Sequence, residues 1–72
     1  MEVSYKRLWK LLIDKNMKKR DLRLAAGLSA SLMQKLNHDK SVTTNSLARI
    51  CKALDCRIED IMEIVTENEG NE

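Results

Sequence analysis

Residues 17–36, MKKRDLRLAAGLSASLMQKL, decide the reading of this chain, because one glycine there separates two short amphipathic segments. Gly27 is the pivot: glycine takes a positive φ without steric cost, so a helix ending there can turn within a few residues. Apolar spacing predicts a helix from about Lys18 to Ala26, with Leu22, Ala25 and Ala26 inward. It predicts another from Ser29 to Asn37, with Leu32, Met33 and Leu36 inward. Two helices meeting sharply across a glycine turn are a helix-turn-helix signature. It gives the second helix a task besides packing, since its polar face can enter a DNA major groove.

Working outward, three more helices follow from periodicity. The first carries Tyr5, Leu8, Trp9 and Leu12 at i, i+3, i+4, i+7, with Leu11 widening the stripe and Ser4 as N-cap. The fourth begins at Thr43 and turns Leu47, Ile50, Cys51 and Leu54 inward. The fifth uses Ile58, Ile61, Met62 and Val65. A second regularity sharpens the boundaries, because an apolar residue before an N-cap packs on the residue five positions later. Met17 with Leu22, Leu28 with Met33, Val42 with Leu47 and Cys56 with Ile61 share that spacing, placing helix starts at Lys18, Ser29, Thr43 and Arg57. Ser29 and Thr43 are good caps. Lys18 and Arg57 are poor ones, but Asp21 and Asp60, each three residues on, complement the helix dipole.

With 72 residues, no proline, no phenylalanine and two glycines, the chain suits one small all-α domain: residues 1–66 form it, and the polar, acidic residues 67–72 form a disordered tail. Net charge is only +2, but its distribution is uneven. Residues 1–57 hold all 13 bases and five acids, a net of +8, whereas residues 58–72 hold six acids and no base, a net of −6. A basic body with an acidic end suits a nucleic-acid binder whose last segment faces away from the phosphates. No stretch approaches the roughly 18 apolar residues of a membrane span, and the charged N-terminal segment does not read as a signal peptide, so a cytoplasmic location is expected. Cys51 and Cys56 read as reduced core residues. With one histidine, His38, in a turn, no metal site, cofactor or catalytic group is expected.

The glycine-turn stretch, followed by VTTNSLARICKALDCRIEDIMEI, resembles the Cro/C1-type (Xre-like) helix-turn-helix regulators of phage and bacteria over nearly the whole chain. Leu22, Gly27, Leu28, Ser29, Met33 and Leu36 carry the resemblance, with Val42, Leu47, Ile50, Cys51, Leu54, Asp60 and Ile61. It implies a five-helix, lambda-repressor-like domain acting as a repressor or activator, often as a homodimer, with repression the expected outcome. One departure is Arg23, at a position commonly alanine in the family. Its long side chain must run outward along the helix edge, toward a phosphate, Asp14 or Asp60, or the two helices must cross differently.

At about 100° per residue, a third helix that buries Leu32, Met33 and Leu36 turns Ala30, Ser31, Gln34, Lys35 and His38 outward. The resemblance points to Ala30, Ser31, Gln34 and Lys35 as base readers. Gln34 can pair in bidentate fashion with adenine, Lys35 can donate to guanine, and Ala30 can meet a thymine methyl. Backbone contacts are expected from Lys18, Lys19 and Arg20 at the start of the second helix. Across the third helix they are expected from Ser29, Asn37, Lys40, Thr43, Thr44 and Asn45. Arg7 and Lys10 are read as solvated charges. One such domain spans too few base pairs to find an operator, so double-stranded DNA bound by a homodimer is the reading, with half-sites roughly 34 Å apart. Ile64, beside Val65, marks the candidate dimer surface, and Ile13 and Leu24 also lie off their stripes. The alternative is a protein-interaction module on the same fold, using the fifth helix rather than the third.

Overall fold

The computed structural model describes residues 2–65, so the expected acidic tail, 67–72, lies outside the described residues. In chain order the elements are β1 (Glu2–Ser4), α1 (Lys6–Asp14), α2 (Lys19–Ala26), α3 (Ala30–Asn37), α4 (Thr44–Leu54), a 3₁₀ turn (Ile58–Asp60) and β2 (Glu63–Val65). Tyr5, Leu8, Leu12, Leu22, Leu28, Met33, Leu36, Leu47, Ile50, Leu54 and Ile61 form one buried core drawn from all four α-helices and their flanks, with Ile61 joining from just beyond the 3₁₀ turn.

The N-caps of α2, α3, α4 and the 3₁₀ turn fall at Lys18, Ser29, Thr43 and Arg57, the positions the apolar pairs predict. Ser29 Oγ accepts from the Leu32 N–H at 3.1 Å, and Thr43 Oγ1 from the Ser46 N–H at 3.2 Å. Lys18 and Arg57 have no acceptor of their own to offer. Instead the carboxylates of Asp21 and Asp60 accept from the N–H groups of Lys18 and Arg57, at 2.9 and 3.0 Å. These acids therefore anchor the two starts by hydrogen bonding as well as by charge.

Each α-helix is closed by a left-handed residue: Asn16, Gly27, Asp39 and Asp55 have φ between 53° and 66°. At Gly27 the next residue, Leu28, donates its N–H back to the Arg23 carbonyl at 2.9 Å, making the turn into α3. An added Cβ there would meet nothing within 4 Å, so backbone conformation rather than space calls for glycine.

The fifth expected helix is absent. Residues 58–65 instead form the 3₁₀ turn and β2, which pairs antiparallel with β1 in the register Glu2↔Val65, Val3↔Ile64 and Ser4↔Glu63. Among the described residues there are thus four α-helices and a two-stranded sheet rather than five helices. The expected spacing is half right: Ile61 is buried and Met62 half-buried, but Ile58 and Val65 are 42% and 39% exposed. An eight-residue helix is marginal by itself, and the β-branched pair Ile64–Val65 loses side-chain freedom in a helix. In a strand that pair finds partners 61 and 63 residues away, Val3 and Glu2. Arg7, expected as a solvated charge, braces this arrangement. Its guanidinium donates to the Glu59 carbonyl at 2.9 Å and pairs with the Glu63 carboxylate at 3.1 Å.

Two further expectations are corrected. Ser4 lies in β1 and the N-cap of α1 is Tyr5, whose carbonyl accepts the Trp9 N–H at 3.3 Å while its own N–H is held by the Asp39 carboxylate at 3.1 Å. Ala25 is exposed rather than inward. The short α2 needs only Leu22, with Ala26 one turn on, to meet the core, so its buried stripe is narrower than the sequence suggests.

Candidate nucleic-acid interface

Met33 and Leu36 anchor α3 in the core, and the half-buried Leu32 packs against its edge. The opposite side of this helix carries Ala30, Ser31, Gln34 and Lys35, all exposed, with His38 exposed at its C-cap. The Ser31 hydroxyl, the Gln34 amide and the Lys35 ammonium, with the His38 imidazole at the end, make a polar face with no carboxylate among them, which suits base edges and phosphates.

Beside this face runs a groove of about 590 Å³ between α3 and the start of α4, whose lining includes Ser29, Ser31, Lys35, Thr43, Ser46 and Arg49. Four of these are residues the sequence assigns to DNA. Arg49 and Ser46, like Ser41 on the same wall, were not predicted. The signal for Arg49 was present: it lies three residues after Ser46 and four after Asn45, on one stripe of α4. The cap bonds leave the Ser29 hydroxyl proton free of that duty, whereas the Thr43 and Ser46 hydroxyls share a bond of 3.0 Å. Thr44 and Asn45 are exposed in the first turn of α4.

On the other flank, Lys18, Lys19 and Arg20 are exposed at the start of α2. Asp21 already occupies the Lys18 N–H, so the side chains rather than this backbone donor are the groups presented to an anion. The structure joins two separately predicted backbone contacts: the Lys19 ammonium donates to Asn37 Oδ1 at 2.7 Å. The same ammonium lies 4.3 Å from the centre of the Trp9 ring. Arg23 is exposed, and among the described residues it pairs with neither Asp14 nor Asp60; it takes the outward course.

The loop after α3 is tied to the N-terminal segment. The Tyr5 hydroxyl donates to the Lys40 carbonyl at 2.7 Å, while Asp39 holds the Tyr5 N–H. Burial, and then the Asp39 charge, push the Tyr5 pKa upward, which keeps the phenol a donor. Lys40 is exposed beyond this bond. The two cysteines are free and half-buried, and burial next to Cys51 pushes the Cys56 thiol up to about 11. That makes Cys56 a poor nucleophile. Among the described residues no group of three or more His, Cys, Asp or Glu side chains could hold a metal ion, and no helix is long and apolar enough to cross a membrane.

A glycine-hinged helix pair whose second member turns a donor-rich face outward between two basic flanks defines a DNA-binding helix-turn-helix. The chain belongs to the Cro/C1-type helix-turn-helix DNA-binding domain family, whose model matches residues 7–67. It is similar to the transcriptional regulator VanUg in its crystal structure (Form II), with 47% identity, 89% of this chain and 85% of that one covered, and a TM-score of 0.87. Comparison with curated proteins finds no match.

Proposed function

We propose that this protein is a transcriptional regulator, acting as a repressor, that binds a specific double-stranded DNA site as a homodimer with α3 in the major groove. The observation that carries this reading is the exposed face of α3, set between the bases at the start of α2 and the groove beside α4. Gln34 offers an amide for bidentate pairing with adenine N6 and N7. Lys35 donates to guanine O6 and N7, Ala30 meets a thymine methyl, and Ser31 serves a base or the backbone. Lys18, Lys19, Arg20, Ser29, Asn37, Lys40, Thr43, Thr44 and Asn45 bind phosphates and set the register. Residues 1–66 are the DNA-binding unit, and the acidic residues 67–72 stay clear of the phosphates. The working compartment is the cytoplasm.

Two copies face half-sites roughly 34 Å apart. The exposed apolar residues Ile64 and Val65 on β2 are the surface on which we place dimer contact, where sequence periodicity had set a helix. The same residues also favour a second reading, a protein-interaction module that uses this edge strand in place of α3.

Selection of sites from a random duplex pool tests the proposal. An enriched two-fold symmetric site is the expected result. Gln34→Ala then weakens that site by about 1–3 kcal/mol and relaxes its sequence preference. Lys19→Ala weakens all sequences alike and lowers the salt slope by about 1. No enrichment, with weak binding lost at moderate salt, rejects sequence-specific regulation in favour of the interaction module.

A further inference from the structure

We propose that Trp9, outside the DNA-contacting helices, is a positioning residue for DNA binding: its ring and the Asn37 amide hold the Lys19 ammonium in place for a phosphate. The inference rests on the DNA-binding reading above and adds a residue that reads, from the sequence, only as part of the core stripe of α1. Three elements meet at this point. Trp9 comes from α1, Lys19 opens α2 and Asn37 ends α3, so the contact spans both helices of the helix-turn-helix.

The chemistry of the two partners is the main argument. A structural lysine paired with a carboxylate would have its charge neutralised. Lys19 is instead held by a neutral amide oxygen at 2.7 Å and by the face of an indole at 4.3 Å, both of which leave its unit charge intact. The Asn37 oxygen accepts this bond, and the Asn37 amide N–H groups remain as donors. The ammonium and the amide N–H groups together therefore offer an anion donors, with the amide oxygen turned to the lysine. Trp9 is half-buried and packed against the core, so its ring is a fixed platform, and a long lysine side chain resting on it has less rotamer freedom to lose when a phosphate arrives. Trp9 and Lys19 also line one apolar groove with Leu12, Ile13, Met17 and Lys18, beside which the lysine stem runs.

The test is a double-mutant cycle on the full chain, with one duplex titrated at several salt concentrations by the unaltered protein, Trp9→Leu, Trp9→Phe, Lys19→Ala and Trp9→Leu/Lys19→Ala. Trp9→Leu is expected to weaken binding about two- to five-fold, the size of an exposed cation–π contact, and to flatten the salt dependence. In the Lys19→Ala background the same change has no further effect. Trp9→Phe retains a ring face and recovers most of the affinity. Thermal unfolding of each variant identifies losses due to a smaller folded fraction, which would appear in the Lys19→Ala background too. Trp9→Leu and Lys19→Ala losses that simply multiply, or a Trp9→Leu protein with unaltered affinity, overturn the positioning role while leaving DNA binding standing. Failure of the unaltered protein to bind any duplex overturns the DNA reading, and the role of Trp9 falls with it.

Discussion

The α2–α3 pair and the segment from Ile58 to Val65 carry equally regular apolar spacing, yet one is a pair of helices and the other a 3₁₀ turn followed by a strand. In α2–α3 every local signal agrees. Gly27 supplies the left-handed turn, Ser29 caps with its own hydroxyl, and Asp21 accepts the Lys18 N–H. In the C-terminal segment Arg57 and Asp60 start a helix in the same way, but nothing local extends it, and β2 is decided by Glu2–Ser4 at the other end of the chain. Agreement among local signals, rather than periodicity alone, separates the two outcomes.

The largest effects should erase the contrast. Leu36, in α3, and Ile61, beyond the 3₁₀ turn, are both fully buried, so truncation of either to alanine should destabilise by about 2–5 kcal/mol in denaturant unfolding. A loss below about 1 kcal/mol for Ile61→Ala would detach the C-terminal segment from the core. Next comes the hinge. Gly27→Ala meets no atom but must hold a positive φ, and should cost about 1–2 kcal/mol, read as a lower unfolding midpoint. The companion change Asp55→Gly, at the left-handed end of α4, should raise the midpoint by relieving part of the same strain.

Smaller effects sharpen the difference in what each region depends on. Thr43→Ala removes a local cap and should cost about 1 kcal/mol. Removal of residues 1–4 should instead abolish amide protection at residues 63–65 while leaving α3 protected, which would show that β2 depends on a distant partner. Smallest is the response to alkali. The Cys56 thiol, raised to about 11, favours the neutral form in the fold, so its contribution is complete below the ordinary thiol pKa and is lost as pH rises through about 11. Cys56→Ser should flatten that part of the stability profile.

Much of the fold was legible because the information is short-range. Gly27, the Ser29 and Thr43 caps and four apolar pairs mark helix starts within a few residues of themselves. β1 was not legible: three residues, Glu-Val-Ser, show no periodicity, and their pairing is visible only once the chain has closed on itself. The candidate site divides in the same way. The outward face of α3 follows from rotation about a helix with known core residues. Arg49 and Trp9 did not emerge, because one joins its groove through α4 and the other reaches Lys19 through α1. Ala25 misled because alanine suits a buried and an exposed helical position equally well.

The central claim, that α3 meets DNA and the β2 end does not, is tested most directly by following backbone amide resonances while a duplex carrying the selected site is added. The account predicts the largest shifts at Ala30, Ser31, Gln34 and Lys35, with smaller ones at Lys19 and at Thr43–Asn45, and quiet resonances at Glu59 and Glu63. Shifts centred on Ile64 and Val65, with α3 unmoved, would contradict it.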